Sequence, residues 1–145
     1  MLRLQDIMST DLKSIGPNEP AERAYTSMKQ WSVHHLLVIE KGVVLGVITD
    51  HDLGGRAGST LRRDRIVEDL MIAKPLCAEA SMTVRQAAKR MRHRSIGCLP
   101  VTRGGKLVGI ITVSDLLDVI GRGVETHVLR SERKPLTRKP LSMRT

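Results

Sequence analysis

The chain repeats itself. Asp6 and Met8 recur as Asp69 and Met71, Ala24 and Met28 as Ala87 and Met91, and Leu36 and Val38 as Leu99 and Val101, each pair 63 positions apart. The same offset carries Gly42, Gly46, Thr49 and Asp52 onto Gly105, Gly109, Thr112 and Asp115. Because the offset holds from Asp6 to Asp52 without a gap, one structural unit is built twice, and any fold assigned to one copy must also serve the other.

Within each copy the hydrophobic spacing changes from helical to extended. Ala21, Ala24, Tyr25 and Met28 fall at i, i+3, i+4 and i+7, as do Val84, Ala87, Ala88 and Met91, so each set lines one face of a helix. A β-branched run follows, Val33 to Ile39 or Ile96 to Val101. Next come a glycine-containing turn at Lys41-Gly42 or Gly104-Gly105 and a second apolar run, Val43 to Ile48 or Leu107 to Ile111. A short strand at Lys13 to Ile15, or Leu76 to Ala78, precedes each helix. A closing helix is expected from about Asp50 or Ser114, capped by those residues, short in the first copy because of Gly54, Gly55 and Gly58, and stopped in the second by Gly121. Each copy therefore reads as strand-helix-strand-strand-helix, an α/β (α+β) fold.

A three-stranded sheet cannot cover both of its own faces, so the two copies are expected to pack together about a pseudo-twofold axis, leaving a cleft. The boundaries follow as 1–58 for the first repeat, 59–66 for a polar connector, 67–121 for the second repeat and 122–145 for a C-terminal tail. Only Trp31 and Tyr25 are aromatic, so the core must be aliphatic. Cys77 and Cys98 have no disulfide or metal-ligand spacing, and there is no signal-like N-terminus and no apolar run of membrane-spanning length. These features predict a reduced, cytoplasmic, soluble setting with no metal site.

The residues D-I-M and D-L-M that open the copies, with G-V-I-T-D-H-D-L and G-I-I-T-V-S-D-L near their ends, resemble the CBS domain family over residues 4–120. The resemblance implies a tandem pair, or Bateman module: a non-enzymatic regulator that binds AMP, ADP, ATP or S-adenosylmethionine between its repeats, often as a homodimer acting on a partner protein. No catalytic residue and no required cofactor are implied. Thr49, Asp52, Thr112 and Asp115 match the ribose-binding G-x-x-T-x-x-D pattern of the family in both copies. An ionised Asp can accept hydrogen bonds from both ribose hydroxyls, each contributing roughly 1.5–3 kcal/mol. On spacing alone a second role stands beside this one, in which the two aspartates cap the following helices and the threonines fill β positions.

His34 and His35 occupy the place where AMP-sensing kinase subunits of the family carry a His-Arg pair on phosphate, whereas the second copy has Gly97 and Cys98 there. Strand alternation lets only one of the two histidines face a ligand. By resemblance, Ser14, Ile15, Cys77 and Ala78 border the adenine.

The net charge of +9 is uneven, with +5 in residues 122–145. A competing function is therefore binding of nucleic acid or an acidic partner through this tail. The tail has no aromatic residue to stack on bases, and nucleic acid is not the expected partner.

Overall fold

A computed structural model of the protein describes residues 1–122 and 141–143. Most of the basic tail lies outside the described residues. Among the described residues two compact units are present, one made of residues 12–75 with 142–143 and the other of residues 1–11 with 76–122 and 141. Repetition in sequence and compactness in space are thus divided differently, because the opening segment of each repeat belongs to the unit formed by the body of the other.

In the unit that holds the first repeat body, β1 (Ser14–Ile15) pairs in parallel with β2 (His35–Glu40), which forms an antiparallel hairpin with β3 (Val43–Thr49). Helix α2 (Ala21–Gln30) buries Ala21, Ala24, Tyr25 and Met28 against Leu36, Val38, Leu45 and Ile48 of the hairpin. The helix face expected from the spacing is therefore the packed one. Lys41 and Gly42 both take positive φ in the hairpin turn, at 52° and 76°, which is the twist that a tight hairpin needs.

The second repeat body follows the same plan. Strand β5 (Ala78–Glu79) runs parallel to β6 (Cys98–Arg103), which pairs antiparallel with β7 (Lys106–Thr112). Helix α5 (Val84–Arg94) starts with a reciprocal cap: Gln86 N donates to Thr83 Oγ1 and Thr83 N to Gln86 Oε1, both at 3.1 Å. The two hairpins share a register to the residue. His35 faces Thr49 as Cys98 faces Thr112, and both carry a bulge at the same place, after Val38 and after Val101.

The D-x-M segments account for the division of the chain. Helix α1 (Leu4–Ile7) fully buries Leu4 and Ile7 in the core that contains Ala87, Met91, Leu99 and Ile111. Leu4 N donates to Met82 O, Gln5 N to Ala80 O, and Ser9 and Ile110 exchange backbone bonds of 2.9 and 3.0 Å. The counterpart, α4 (Val67–Leu70), places Val67 in the other core, donates from Val67 N to Glu19 O, and leads into β4 (Ile72–Ala73), which pairs with β3 at Gly46 and Val47. Full burial of one such aliphatic side chain contributes about 1.5–3 kcal/mol, so each opening segment stabilises its host substantially. The contact also explains two glycines. A Cβ at Gly46 would collide with the Ile72 carbonyl oxygen, and one at Gly109 would lie 2.5 Å from Met8 Sδ and 3.0 Å from Ser9 O.

Three expectations need correction. First, no α-helix starts near Asp50: residues 50–54 form a turn, a 3-10 turn follows at Gly55–Ala57, and the closing helix of the first copy is α3 (Ser59–Arg62), inside the segment read as connector. Glycines at 54 and 55, with φ of 82° and 60°, favour a turn over an α-helix there. Second, the closing helix of the second copy, α6, spans Val113–Arg122 and passes through Gly121 instead of stopping at it. One glycine costs a helix about 1 kcal/mol, which packing of Leu116 and Val119 on the core offsets. Third, the connector is not simply a polar surface link, because Arg62 is 3% exposed. Its Nη1 donates to Leu53 O and Gly55 O at 2.8 and 2.7 Å, its Nε to Glu22 Oε2 at 2.6 Å, and its guanidinium lies 3.7 Å from the Tyr25 ring centroid. Strand β8 (Leu141–Met143) adds Ser142 and Met143 alongside Val43 and Val44 of β3.

Candidate functional site

The strand ends that carry Thr49 and Thr112 are built identically. Thr49 N and Thr49 Oγ1 both donate to Asp52 Oδ2 at 2.9 Å, and Asp52 N donates back to Thr49 Oγ1 at 3.2 Å. In the other unit Thr112 N and Oγ1 donate to Asp115 Oδ2 at 2.9 and 3.1 Å, with Asp115 N returning to Thr112 Oγ1 at 3.3 Å. This is a capping box: the threonine is the N-cap, and the carboxylate three residues on closes the loop. It caps α6 in the second copy and a non-helical turn in the first. Asp50 and Ser114, expected as caps, are not the residues that fill that role. Each bracket uses only Oδ2, so Oδ1 takes no part in it, and the box holds each carboxylate in a fixed orientation.

Register places the other candidates in the first unit. His35 lies directly across from Thr49, and Ser14 sits beside Leu37, two residues further along β2, so Ser14, His35 and Thr49 share one end of the sheet. Ser14 is exposed and Ile15 half-buried against the core. Both also line a depression of about 450 Å³ formed with Arg23, Thr26, Ser27 and Trp31, to which Thr49 and Asp52 do not contribute. His34 is exposed, with Nδ1 3.8 Å from Asp50 Oδ2. His35 is half-buried.

Sequence reasoning gave Asp50 only a capping role, whereas its Oδ1 is buried without a hydrogen-bond partner among the described residues. Such an oxygen is costly unless a donor reaches it, by about 1–3 kcal/mol. The tetrad T-D-H-D contains two acids, and that was the available signal.

In the second unit, Cys98 lies across from Thr112, and Cys77 immediately precedes β5. Burial pushes the Cys77 thiol above its ordinary value of 9.0. Ala78 is packed in the core, so only its backbone is available to a ligand. No cluster of three or more metal-ligating side chains occurs among the described residues. No helix among them is long and apolar enough to cross a membrane.

The CBS domain sequence profile matches residues 4–53 and 67–122, covering both copies. The chain belongs to the CBS domain family. It is a tandem CBS pair, 33% identical over 135 residues to a CBS domain-containing protein of Dictyostelium discoideum, with 84% of this chain and 93% of the relative covered. Its fold is similar to that of CBSX2 solved in complex with AMP, with a TM-score of 0.71 and 25% identity over 83% of this chain and 96% of that one. It is also similar in fold to the CBS domain pair of protein MJ0100, solved with 5′-methylthioadenosine and S-adenosyl-L-methionine, with a TM-score of 0.74 and 23% identity over 83% and 97% of the two chains. The family motif G-x-x-T-x-x-D thus has a structural account in this CBS pair. Its glycine admits the opening segment docked on the strand, and its Thr and Asp form the capping box at the strand's end.

Proposed function

We propose that this CBS pair is a non-enzymatic regulatory module of the cytoplasm that senses an adenosine-containing ligand, AMP, ADP, ATP or S-adenosylmethionine, through Asp52 and Asp115. One observation carries the reading: the same carboxylate, fixed by its threonine bracket, occurs twice at the same register. A carboxylate held in this way can accept from the 2′- and 3′-hydroxyls of a ribose without first losing side-chain freedom. Asp50, whose Oδ2 lies 3.8 Å from His34 Nδ1, adds a second carboxylate next to Thr49 and supports the reading. So do the AMP-bound CBSX2 and the MJ0100 pair with its two adenosine compounds. His35, Ser14, Ile15, Cys77 and the backbone of Ala78 are proposed to border the ligand, and His34 to reach only its outer, charged part.

The two sites are proposed to differ in what they accept beyond the ribose, because His34-His35 in one copy is Gly97-Cys98 in the other. Occupancy would act on a regulated protein by favouring whichever packing of the module binds the ligand better. A homodimer is proposed through α6, where Val113, Leu117 and Ile120 form an exposed apolar row at i, i+4 and i+7.

Calorimetric titration with AMP, ADP, ATP and S-adenosylmethionine tests the assignment. At least one should bind in the micromolar range, about −8 kcal/mol, and Asp52→Asn with Asp115→Asn should weaken it roughly tenfold or more while preserving the capping boxes, because an amide oxygen can still accept. No binding by any of the four, or undiminished binding in the double variant, would overturn it.

A further inference from the structure

We infer that the outer face of α5 is an anion site for a condensed phosphate chain, separate from the carboxylate-bearing strand ends. The helix carries Arg85, Lys89, Arg90, Arg92 and Arg94 with no Asp or Glu. It holds all of the positive excess of residues 1–121, since the rest of that stretch has one more acidic than basic side chain. Gln86, Lys89, Arg90, Arg92, His93 and Arg94 line a single depression of about 1050 Å³.

The other repeat supplies an internal control. Its depression lies at the matching place, and at the positions 63 residues earlier Arg23 stands for Gln86, Thr26 for Lys89, Ser27 for Arg90, Gln30 for His93 and Trp31 for Arg94, while Lys29, the counterpart of Arg92, is not part of the lining. There the one cation, Arg23, is paired with Glu19 at 3.6 Å. The fold therefore forms this groove without a cluster of unpaired cations in its lining. Helix stability does not call for the charges either, because like charges at i, i+4, as at Arg85/Lys89 and Arg90/Arg94, repel. The helix dipole favours cations only in the last turn and leaves Arg85, Lys89 and Arg90 unexplained. Four cationic side chains around one hollow match a compact, highly charged anion. Phosphates in series provide that, whether free or as the tail of a nucleoside, and arginine can take their oxygens in pairs. A concave lining without Phe, Tyr or Trp suits such an anion better than an extended nucleic acid strand, which would need several stacking platforms.

The test is titration of the full chain with inorganic tripolyphosphate at low salt, with orthophosphate, AMP and ATP as parallel arms. Tripolyphosphate should bind and orthophosphate far more weakly. The variant Lys89→Gln/Arg90→Gln/Arg94→Gln should lose roughly tenfold or more of the tripolyphosphate affinity, whereas Asp52→Asn/Asp115→Asn should leave it unchanged. All three substituted side chains are exposed and glutamine is a good helix former, so the variant should melt as the wild type does. Amide chemical shifts of the unaltered protein supply the second readout and should move within residues 84–95. Undiminished affinity in the triple variant would overturn the inference. Shifts confined to residues 123–140 would do so as well, as would a short DNA duplex that binds α5 where tripolyphosphate does not. None of these outcomes bears on whether AMP binds at Asp52 and Asp115, which the AMP arm reports separately.

Discussion

Thr112 and Asp115 close a capping box as well as carrying the proposed ligand contact, and the capping role is open to direct measurement. Replacing Thr112 by alanine removes the acceptor for Asp115 N and one donor to its carboxylate, so urea denaturation should show a loss of about 1 kcal/mol. Arg62 should matter more. With two carbonyls, a carboxylate and an aromatic face gathered on a buried guanidinium, Arg62→Met is expected to cost about 2–3 kcal/mol in the same experiment, and a change under 0.5 kcal/mol would show that these bonds contribute nothing net. Cys77 gives a pH signature. Its raised pKa keeps the thiol protonated in the folded chain while the unfolded chain loses its proton above about 9, so this group erodes stability as pH climbs through that value. Below it, iodoacetamide should modify Cys77 more slowly than a small free thiol. How these residues read in the sequence differs sharply. Thr49, Asp52, Thr112 and Asp115 were legible because they recur at one offset. Which way their hydrogen bonds run was not, since a ribose anchor and a capping box both want a carboxylate three residues after a threonine. Arg62 left no trace, because position 125 is a glutamate and nothing in a charged connector marks one arginine as buried.

At the level of elements, repetition identified β1–β3, α2, β5–β7 and α5 to within about two residues, but not the closing helix of the first copy, the short helices α1 and α4, or where each D-x-M segment docks. Asp6 and Met8 belong to the first repeat by sequence, yet Leu4 and Ile7 are buried with Leu99 and Ile111, because pairing across the chain leaves no periodic signal. Gly46 and Gly109 were visible as repeated glycines and became interpretable only once Ile72 O and Met8 were found against them. Gly109→Ala should therefore destabilise the fold by about 1–3 kcal/mol through overpacking, and hydrogen exchange should show the amides of Leu4 and Gln5 losing protection first. Gly105→Ala, in a turn with no neighbour within 4 Å of the new methyl group, should leave those amides protected even though its φ of 78° is strained. The closing helices follow the same lesson. Gly121 looked like a stop, but Leu116 and Val119 anchor α6 on the core, and packing outweighs one residue's propensity.

Across the whole molecule, surface chemistry separates two copies that backbone register makes alike. Cations collect on α5 and not on α2, and an apolar row lies exposed on α6. If that row seats a second copy, sedimentation should show a dimer that Leu117→Glu with Ile120→Glu converts to monomer, and an unchanged sedimentation coefficient would refute the interface. The duplicated design points to one central claim, that Asp52 and Asp115 hold a sugar by its hydroxyl groups. The measurement that probes it most directly compares the affinity of AMP with that of its 2′,3′-dideoxy analogue, in the unaltered chain and in Asp52→Asn/Asp115→Asn. The account expects the unaltered chain to prefer AMP by roughly tenfold or more and the double variant to bind the two compounds alike. Equal affinities in the unaltered chain would contradict it.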